Sequence, residues 1–473
     1  MSLVPPPLGA AADAAHIPVT TLLAGAAHPQ PAVGESTATG GLWVLVAASL
    51  VLLMTPALAL FYGGMSRQKS VLNMMMMSFG AMGVVTVTSI AYGYSMSYGP
   101  TSLAGVIASP LDYLGLRGVI TASDHGTPVF AVGDNGYARI IDVCFQLTFA
   151  IISVALISGA IAERVKYSAW LLFSACWVTL VYYPLAHQVW GGGILGEDAH
   201  GVSAWLFGTA GEHARIAPID FAGGTVVHIS AGTAALVLVL IIGNRRGFPH
   251  HVHRPHNLPL VMLGAALLWF GWLGFNAGSA LGDQSLAGLA WLNTTAAAAA
   301  GLLGWLCVER IRDGHATSLG AASGVVAGLV TITPAAGDVM PLWALLLGVT
   351  GGALAAMGVG LKYRFGFDDT LDVVGVHLVG AVWGTVAVGF CATGRGLLTG
   401  GGLRGGCELL VVQALIALAA MALAGVVTAV LGLTIRRTMG WRVDRDVELG
   451  GIDTHIHGES AYDTTVPTLG RGR

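Results

Sequence analysis

The sequence predicts an all-α polytopic membrane protein with eleven transmembrane helices, on three observations. Hydrophobic residues make up 55% of the 473 and charged residues only 10%, where soluble domains carry about 25% charged. Apolar runs of roughly 20 residues recur along the chain, each able to cross the ~30 Å hydrocarbon layer at about 1.5 Å per residue. Lys and Arg collect in alternate loops, the asymmetry that orients membrane proteins.

The runs fall near 42–62, 72–94, 140–161, 168–188, 221–242, 258–280, 286–307, 319–334, 341–361, 372–391 and 408–433. The 68 glycines and the stretch Ala296 to Ala300 predict close helix contacts, since small residues let backbones approach in lipid. One tight bundle over residues 41–434 follows, between an outer tail of residues 1–40 and a cytoplasmic tail of residues 435–473. Of the 22 Lys and Arg, only Arg117, Arg139, Arg215, Arg395 and Arg404 lie in even-to-odd loops. The N-terminus is therefore expected outside and the C-terminus inside. The net charge of −3 says nothing specific about partners, and neither nucleic acid nor a cofactor is expected.

Residues 1–40 hold no Lys or Arg, and Pro5 to Pro7 and Pro18 interrupt the apolar core that a signal peptide needs. A disordered outer tail is the expectation, although Ala24-Gly25-Ala26 resembles a cleavage site and leaves partial removal open. The five cysteines form no CxxC, and Cys144, Cys176, Cys307 and Cys391 fall within spans. They read as packing residues rather than a disulfide framework or metal site.

An ionisable group at the bilayer centre costs about 2.5–3.5 kcal/mol, so each needs a reason. Span five begins DFAGGTVVHIS, with Asp220 at its start and His228 eight residues on. Span ten begins DVVGVHLVG, with Asp372 at its start and His377 five residues on. The two spans enter from opposite faces, so both histidines head toward the middle. An inverted repeat of spans one to five and six to ten, with a site at the interface and an eleventh helix outside it, predicts this pattern.

On a regular helix Asp220 would lie roughly 80° round from His228, and Asp372 roughly 140° from His377. Neither aspartate shares its histidine's face, and the ordinary reading of both is a helix N-cap. Asp220 keeps a second role open, since a fixed anion near the outer mouth favours an arriving cation. A single buried histidine is more often a packing residue bonded to a neighbouring helix; two on symmetry-related helices favour function. In an apolar setting both are expected neutral, sharing one N–H donor and offering N and C–H groups to a lumen. Such a pair suits a small polar or uncharged solute better than a bare ion.

At these residues a resemblance emerges. DFAGGTVVH, AHQVWGGG, FGWLGFNAGS, GAIAERVKYS, RPHNLP and DVVGVH are together similar to the ammonium transporter branch of the Amt/Rh family, over about residues 41–463. The Trp of AHQVWGGG and the Ser of FNAGS favour that branch over the Rhesus branch. The resemblance implies ammonium or ammonia as substrate, a homotrimer in the plasma (inner) membrane of a prokaryotic cell, and no enzymatic activity. It implies Trp190 as the outer aromatic of a recruitment site, with Ser279 as its hydroxyl. Phe145 and Phe149 would be outer aromatics, Phe275 the second gate ring beside Phe149, and His228 and His377 the twin pore histidines. Asp220 would be the acidic residue beneath the recruitment site.

The residue chemistry is compatible. A Trp face attracts a cation, by about 2 kcal/mol or more when desolvated, and a Ser hydroxyl accepts an N–H bond. Phenylalanine rings form a constriction that resists a hydrated ion. Each aromatic also has an ordinary explanation, since Trp collects at membrane interfaces and Phe packs. Deprotonation near the Phe gate and passage of neutral ammonia past the histidines is the mechanism expected; separate transfer of the proton along Asp220 and the histidine pair stays open.

The tail reads WRVDRDVELGGIDTHIHGESAYD. It resembles the family's C-terminal segment in Glu448, Gly451, Asp453, His457, Gly458 and Glu459, which implies regulation and docking of a PII-type nitrogen signalling protein. A short solvated tail is the ordinary alternative. The loop HHVHRPHN from His250 to Asn257 invites a metal reading, but a solvated loop leading into span six accounts for it better. Two rivals remain: an ammonium sensor signalling through the tail, and a metalloenzyme on His228, His377 and Asp220. The second lacks the three converging ligands a metal centre requires.

Overall fold

A computed structural model describes residues 37–250 and 254–462. Residues 1–36, which carry nearly all of the expected outer tail, lie outside that range, as do His251 to His253 of the histidine loop and residues 463–473.

Among the described residues, eleven helices are long and apolar enough to span a membrane: Thr39–Met65, Gln68–Tyr98, Arg139–Ile161, Tyr167–Trp190, Gly224–Ile242, Leu258–Gly278, Gln284–Asp313, Ser318–Ala335, Pro341–Phe365, Val374–Cys391 and Gly402–Thr438. They are spans one to eleven below, and they make the chain a multi-pass membrane protein. Helices satisfy every backbone polar group internally, the condition for crossing lipid. Side-chain caps fix three starts: Asn257 accepts from Leu260 N, Asp283 from Leu286 N and Thr317 from Gly320 N. Span eleven outruns its apolar core at both ends, with Arg404 near its start and Arg436 and Arg437 in its last turn.

Small residues set the packing distances. Spans seven, eight and nine meet backbone to backbone: a Cβ on Gly352 would fall 2.1 Å from the Gly301 carbonyl oxygen, and one on Gly328 2.2 Å from that of Ala297. Outward faces carry Val87, Leu240, Leu303 and Val426, apolar residues suited to lipid. Three short two-stranded ribbons, Ser102–Leu103 with Ile107–Ala108, Ile120–Ala122 with Pro128–Phe130 and Thr209–Ala210 with His213–Ala214, occupy the loops after spans two and four.

Spans five and ten do not begin as regular helices. Gly223 takes a left-handed conformation (φ 107°) and the next six residues, Gly224–Ile229, form a wide π-type turn. Asp372 likewise sits at φ 64°, and Val374–Val379 form a second π-type turn. Wide turns inside helices commonly mark functional sites. The two starts lie at opposite ends of the bundle. Asp220 is beside Trp190, which donates Nε1–H to its carbonyl. The stretch before span ten instead meets the far end of span three, where Thr370 N donates to Ala160 O.

That second end is tied by a buried ionic chain. Arg164, fully buried, donates to Thr370 Oγ1 (2.7 Å) and the Asp368 carbonyl (2.8 Å). Arg245 grips both Asp368 oxygens (2.8 and 2.9 Å) and reaches Glu163 at 3.0 Å, which Arg67 also pairs at 2.9 Å. Burial alone would push the Asp368 carboxyl up, but the hydrogen bonds and charge of Arg245, with Arg164 behind it, hold it below its ordinary value. Burial draws Arg164 down to about 10, the Asp368 charge opposing.

Candidate functional site

A cavity of about 960 Å³ opens at the Trp190 end of the bundle. Phe145, Phe149, Trp190, Asp220 and Ser279 all line it, so four separated segments bring these sequence-selected residues together. The Trp190 indole stands edge-on to Phe149, with ring centroids 6.2 Å apart and planes at 87°. Its N–H is committed to the Asp220 carbonyl at 2.9 Å, which anchors the ring at the cavity wall. Ser279 donates to the Phe275 carbonyl at 2.9 Å. Its oxygen lone pairs therefore remain as acceptors.

Below this cup the path is shut. Phe149 and Phe275 stack at 4.1 Å between centroids, planes 25° apart, and are 1% and 0% exposed. Phe149 lines the cavity but Phe275, His228 and His377 do not. Phe149 is part of its floor, with Phe275 stacked behind it.

His228 and His377 lie beyond Phe275. Their rings are 5.4 Å apart and nearly parallel, and the two Nδ1 atoms approach to 3.3 Å. A bond between two like nitrogens needs one donor and one acceptor, so the pair holds a single proton between them. Both are buried, and His228 Nε2 has no hydrogen-bond partner among the described residues. Trp272, a residue the sequence reading passed over, stacks on His228 at 5.3 Å and anchors its own N–H on Thr333 Oγ1 at 2.9 Å.

Asp220 caps span five. Its carboxylate accepts from Gly223 N (3.1 Å), Thr225 N (2.9 Å), Val226 N (3.3 Å), Gly224 N and the Thr225 hydroxyl. Both oxygens are consumed within the backbone turn. The cap expected of Asp372 belongs instead to Asp369, which accepts from Val373 N (3.1 Å) and Val374 N (2.7 Å). Asp372, turned away at positive φ, pairs with Lys362 at 2.5 Å. The signal was present in the chain: Asp369 precedes His377 by the same eight residues that separate Asp220 from His228.

The tail is bound rather than solvated through Tyr462. Glu448 pairs both oxygens with Arg442 at 2.7 Å and accepts from Arg246 N at 2.9 Å, while its carbonyl takes Arg67 at 2.9 Å. Asp453 accepts from Leu72 N (3.0 Å) and Asn73 N (2.8 Å), capping span two. Burial raises the Asp453 carboxyl, and these amides pull it back only in part. Between them Gly451 (φ 115°) lies so close to Lys69 that a Cβ would fall 2.4 Å from the lysine Cβ. His457 Nε2 lies 3.0 Å from Asn73 Oδ1. In the histidine loop, His256 is engaged by Ser66 O and Tyr462 OH, both at 2.9 Å.

Known proteins place this architecture. A model described as the Ammonium Transporter Family matches residues 42–462. The chain is 50% identical over 463 residues to an ammonium transporter of Mycobacterium bovis, covering 92% of each, and 43% identical over 423 residues to one of Aquifex aeolicus, covering 89% of this chain and 92% of that one. Among solved structures, Saccharomyces cerevisiae Mep2 superposes with a TM-score of 0.74 at 31% identity, covering 86% and 88% of the two chains. A structure titled Sensor Amt Protein does so with 0.76 at 26% identity, covering 88% and 97%. The chain therefore belongs to the ammonium transporter family.

Proposed function

We propose that the protein transports ammonium, recruiting NH4+ in the cup of Trp190, Ser279, Phe145 and Phe149 and passing NH3 along His228 and His377. The observation that carries this reading is the bonded histidine pair directly behind a closed phenylalanine stack. The Trp190 face and the Ser279 oxygen offer a small cation electrostatic attraction and an N–H acceptor without a full counter-charge. Potassium has no hydrogen to donate to that oxygen. The Phe149–Phe275 stack bars a hydrated ion, so ammonium must shed a proton to go on. Ammonia then meets an uncharged histidine pair, and the proton crosses separately.

The cation-poor loops put the Trp190 end outside and the tail inside, with the N-terminus outside. The family likeness supports a homotrimer as the assembly, a regulatory tail built on Glu448, Gly451 and Asp453, and a PII-type signalling protein as a partner for it. Ammonium-evoked current and substrate uptake in proteoliposomes test the reading. The parent should give both and His228→Asp should alter them; a correctly inserted parent giving neither overturns it.

The docked tail and the likeness to a protein titled as a sensor favour a second reading, ammonium sensing through the tail. Pore variants without uptake that still relay ammonium status would decide for it.

A further inference from the structure

Asp220, the acid expected to draw cations to the mouth, has both oxygens bound into a backbone turn. Of the other carboxylates lining the cavity, Asp134, Asp142, Glu197 and Asp198, Asp142 is the one carried on the same helix as Phe145 and Phe149. Asp142 lies three residues before Phe145 and seven before Phe149 on span three, a spacing that places all three on one helix face. All three line the cavity shared with Trp190 and Ser279. Asp142 Oδ1 accepts from the Tyr137 hydroxyl at 2.7 Å, which sets the direction of the group. Its Oδ2 accepts nothing from the protein among the described residues.

The Arg139 charge acts on Asp142 from one turn away but makes no direct bond to it. Arg139, one turn away, donates to the Tyr113 hydroxyl, lies over the Tyr113 ring at 5.5 Å and faces Asp134 at 4.0 Å. No ion pair reaches Asp142 among the described residues. Space beside Oδ2 is kept by Gly133, where a Cβ would approach that oxygen to 3.0 Å.

We propose that Asp142 is the fixed anion of the mouth. It receives a small N–H-bearing monovalent cation, ammonium or methylammonium, through a charge-assisted bond to Oδ2, and hands it one turn inward to Phe145 and the Trp190 cup. The inference rests on the transport reading. It adds the counter-charge that the cup itself lacks and that a half-buried setting screens only in part.

The test is the concentration dependence of ammonium-evoked current in proteoliposomes of the parent, Asp142→Asn, Asp142→Glu and Tyr137→Phe. Asp142→Asn should raise the half-saturating concentration roughly tenfold with little change in maximal current, the mark of a lost charge-assisted contact before the rate-setting step. Asp142→Glu should restore most of the affinity, Tyr137→Phe should shift it part way, and added impermeant salt should weaken the parent more than Asp142→Asn. An unchanged half-saturation in Asp142→Asn overturns the proposal; so does a fall in maximal current alone. If Asp142→Asn does not insert, an unchanged half-saturation in Tyr137→Phe overturns it equally. A parent without current overturns transport instead. Stabilisation of the purified protein by methylammonium chloride over sodium chloride, lost in Asp142→Asn, then still reads the site.

Discussion

Asp220 and Asp369 occupy the same place in opposite halves of the molecule: each stands eight residues before a buried histidine and caps the turn that carries it. The aspartates thus fix where the two histidine-bearing turns begin, and hence that the rings meet at 3.3 Å.

Replacing either cap should therefore cost more than replacing Asp372. Asp220→Ala and Asp369→Ala each strip buried amides of their acceptors, at about 1–3 kcal/mol per orphaned group. Uptake is expected to be lost in both. Asp372→Asn, which only breaks the pair with Lys362, should keep substantial uptake. Thermal unfolding in detergent, read with uptake, checks the order.

Phe275→Ala should join the outer cavity to the histidines. A fully buried ring lost from a packed interior costs about 3–5 kcal/mol, and the stack with Phe149 disappears. Potassium-evoked current, expected to be absent in the parent, should appear in the variant. If potassium stays excluded, the ring stack is not the ion barrier.

The histidine pair should hold one proton between its two Nδ1 atoms. Nitrogen-15 spectra of the imidazoles are expected to show neutral tautomers with a shared Nδ1 proton near neutral pH. Two imidazolium signals there are incompatible with the 3.3 Å contact, since both nitrogens would then be donors.

Gly451→Ala should release the tail. An alanine must adopt φ 115° and place its Cβ 2.4 Å from that of Lys69. Faster hydrogen exchange of Leu72 and Asn73, whose amides Asp453 holds, is the readout; unaltered exchange would show that the tail docks without Gly451.

Acid should loosen the second end of the bundle before its middle. Asp368 is held below its ordinary value, so its contribution is fully present above the unfolded carboxylate value of about 4 and is lost as pH falls through the lower folded one. Cleavage by pepsin, which is active in acid, should rise near Arg245 over that window relative to an unfolded control. In Asp368→Asn it should be high throughout that range.

The spans were legible because apolarity over about 20 residues dictates them, and the histidines because a polar group in such a run stands out. The cap of span ten was not. The hydrophobic run opens at Asp372, but the chain bends there at φ 64°, which moves the capping role three residues back to Asp369. Helical angles counted from Asp220 or Asp372 assume a regular α-helix, which neither start is. Arg164, Arg245 and Arg67 were readable only as loop cations, since their pairing with Asp368 and Glu163 joins loops far apart in sequence. Trp272 was hidden within an apolar stretch where a tryptophan gives no sign of what it stacks upon.

The stack of Phe149 on Phe275 leaves no standing column of water between the cup and the histidines. Under the transport reading, each crossing waits for a ring to swing aside, and rings in close-packed interiors do so far less often than exposed ones. Throughput is then counted in such excursions rather than in pore width. The protein should behave as a turnstile, with a steep temperature coefficient and silence between passages.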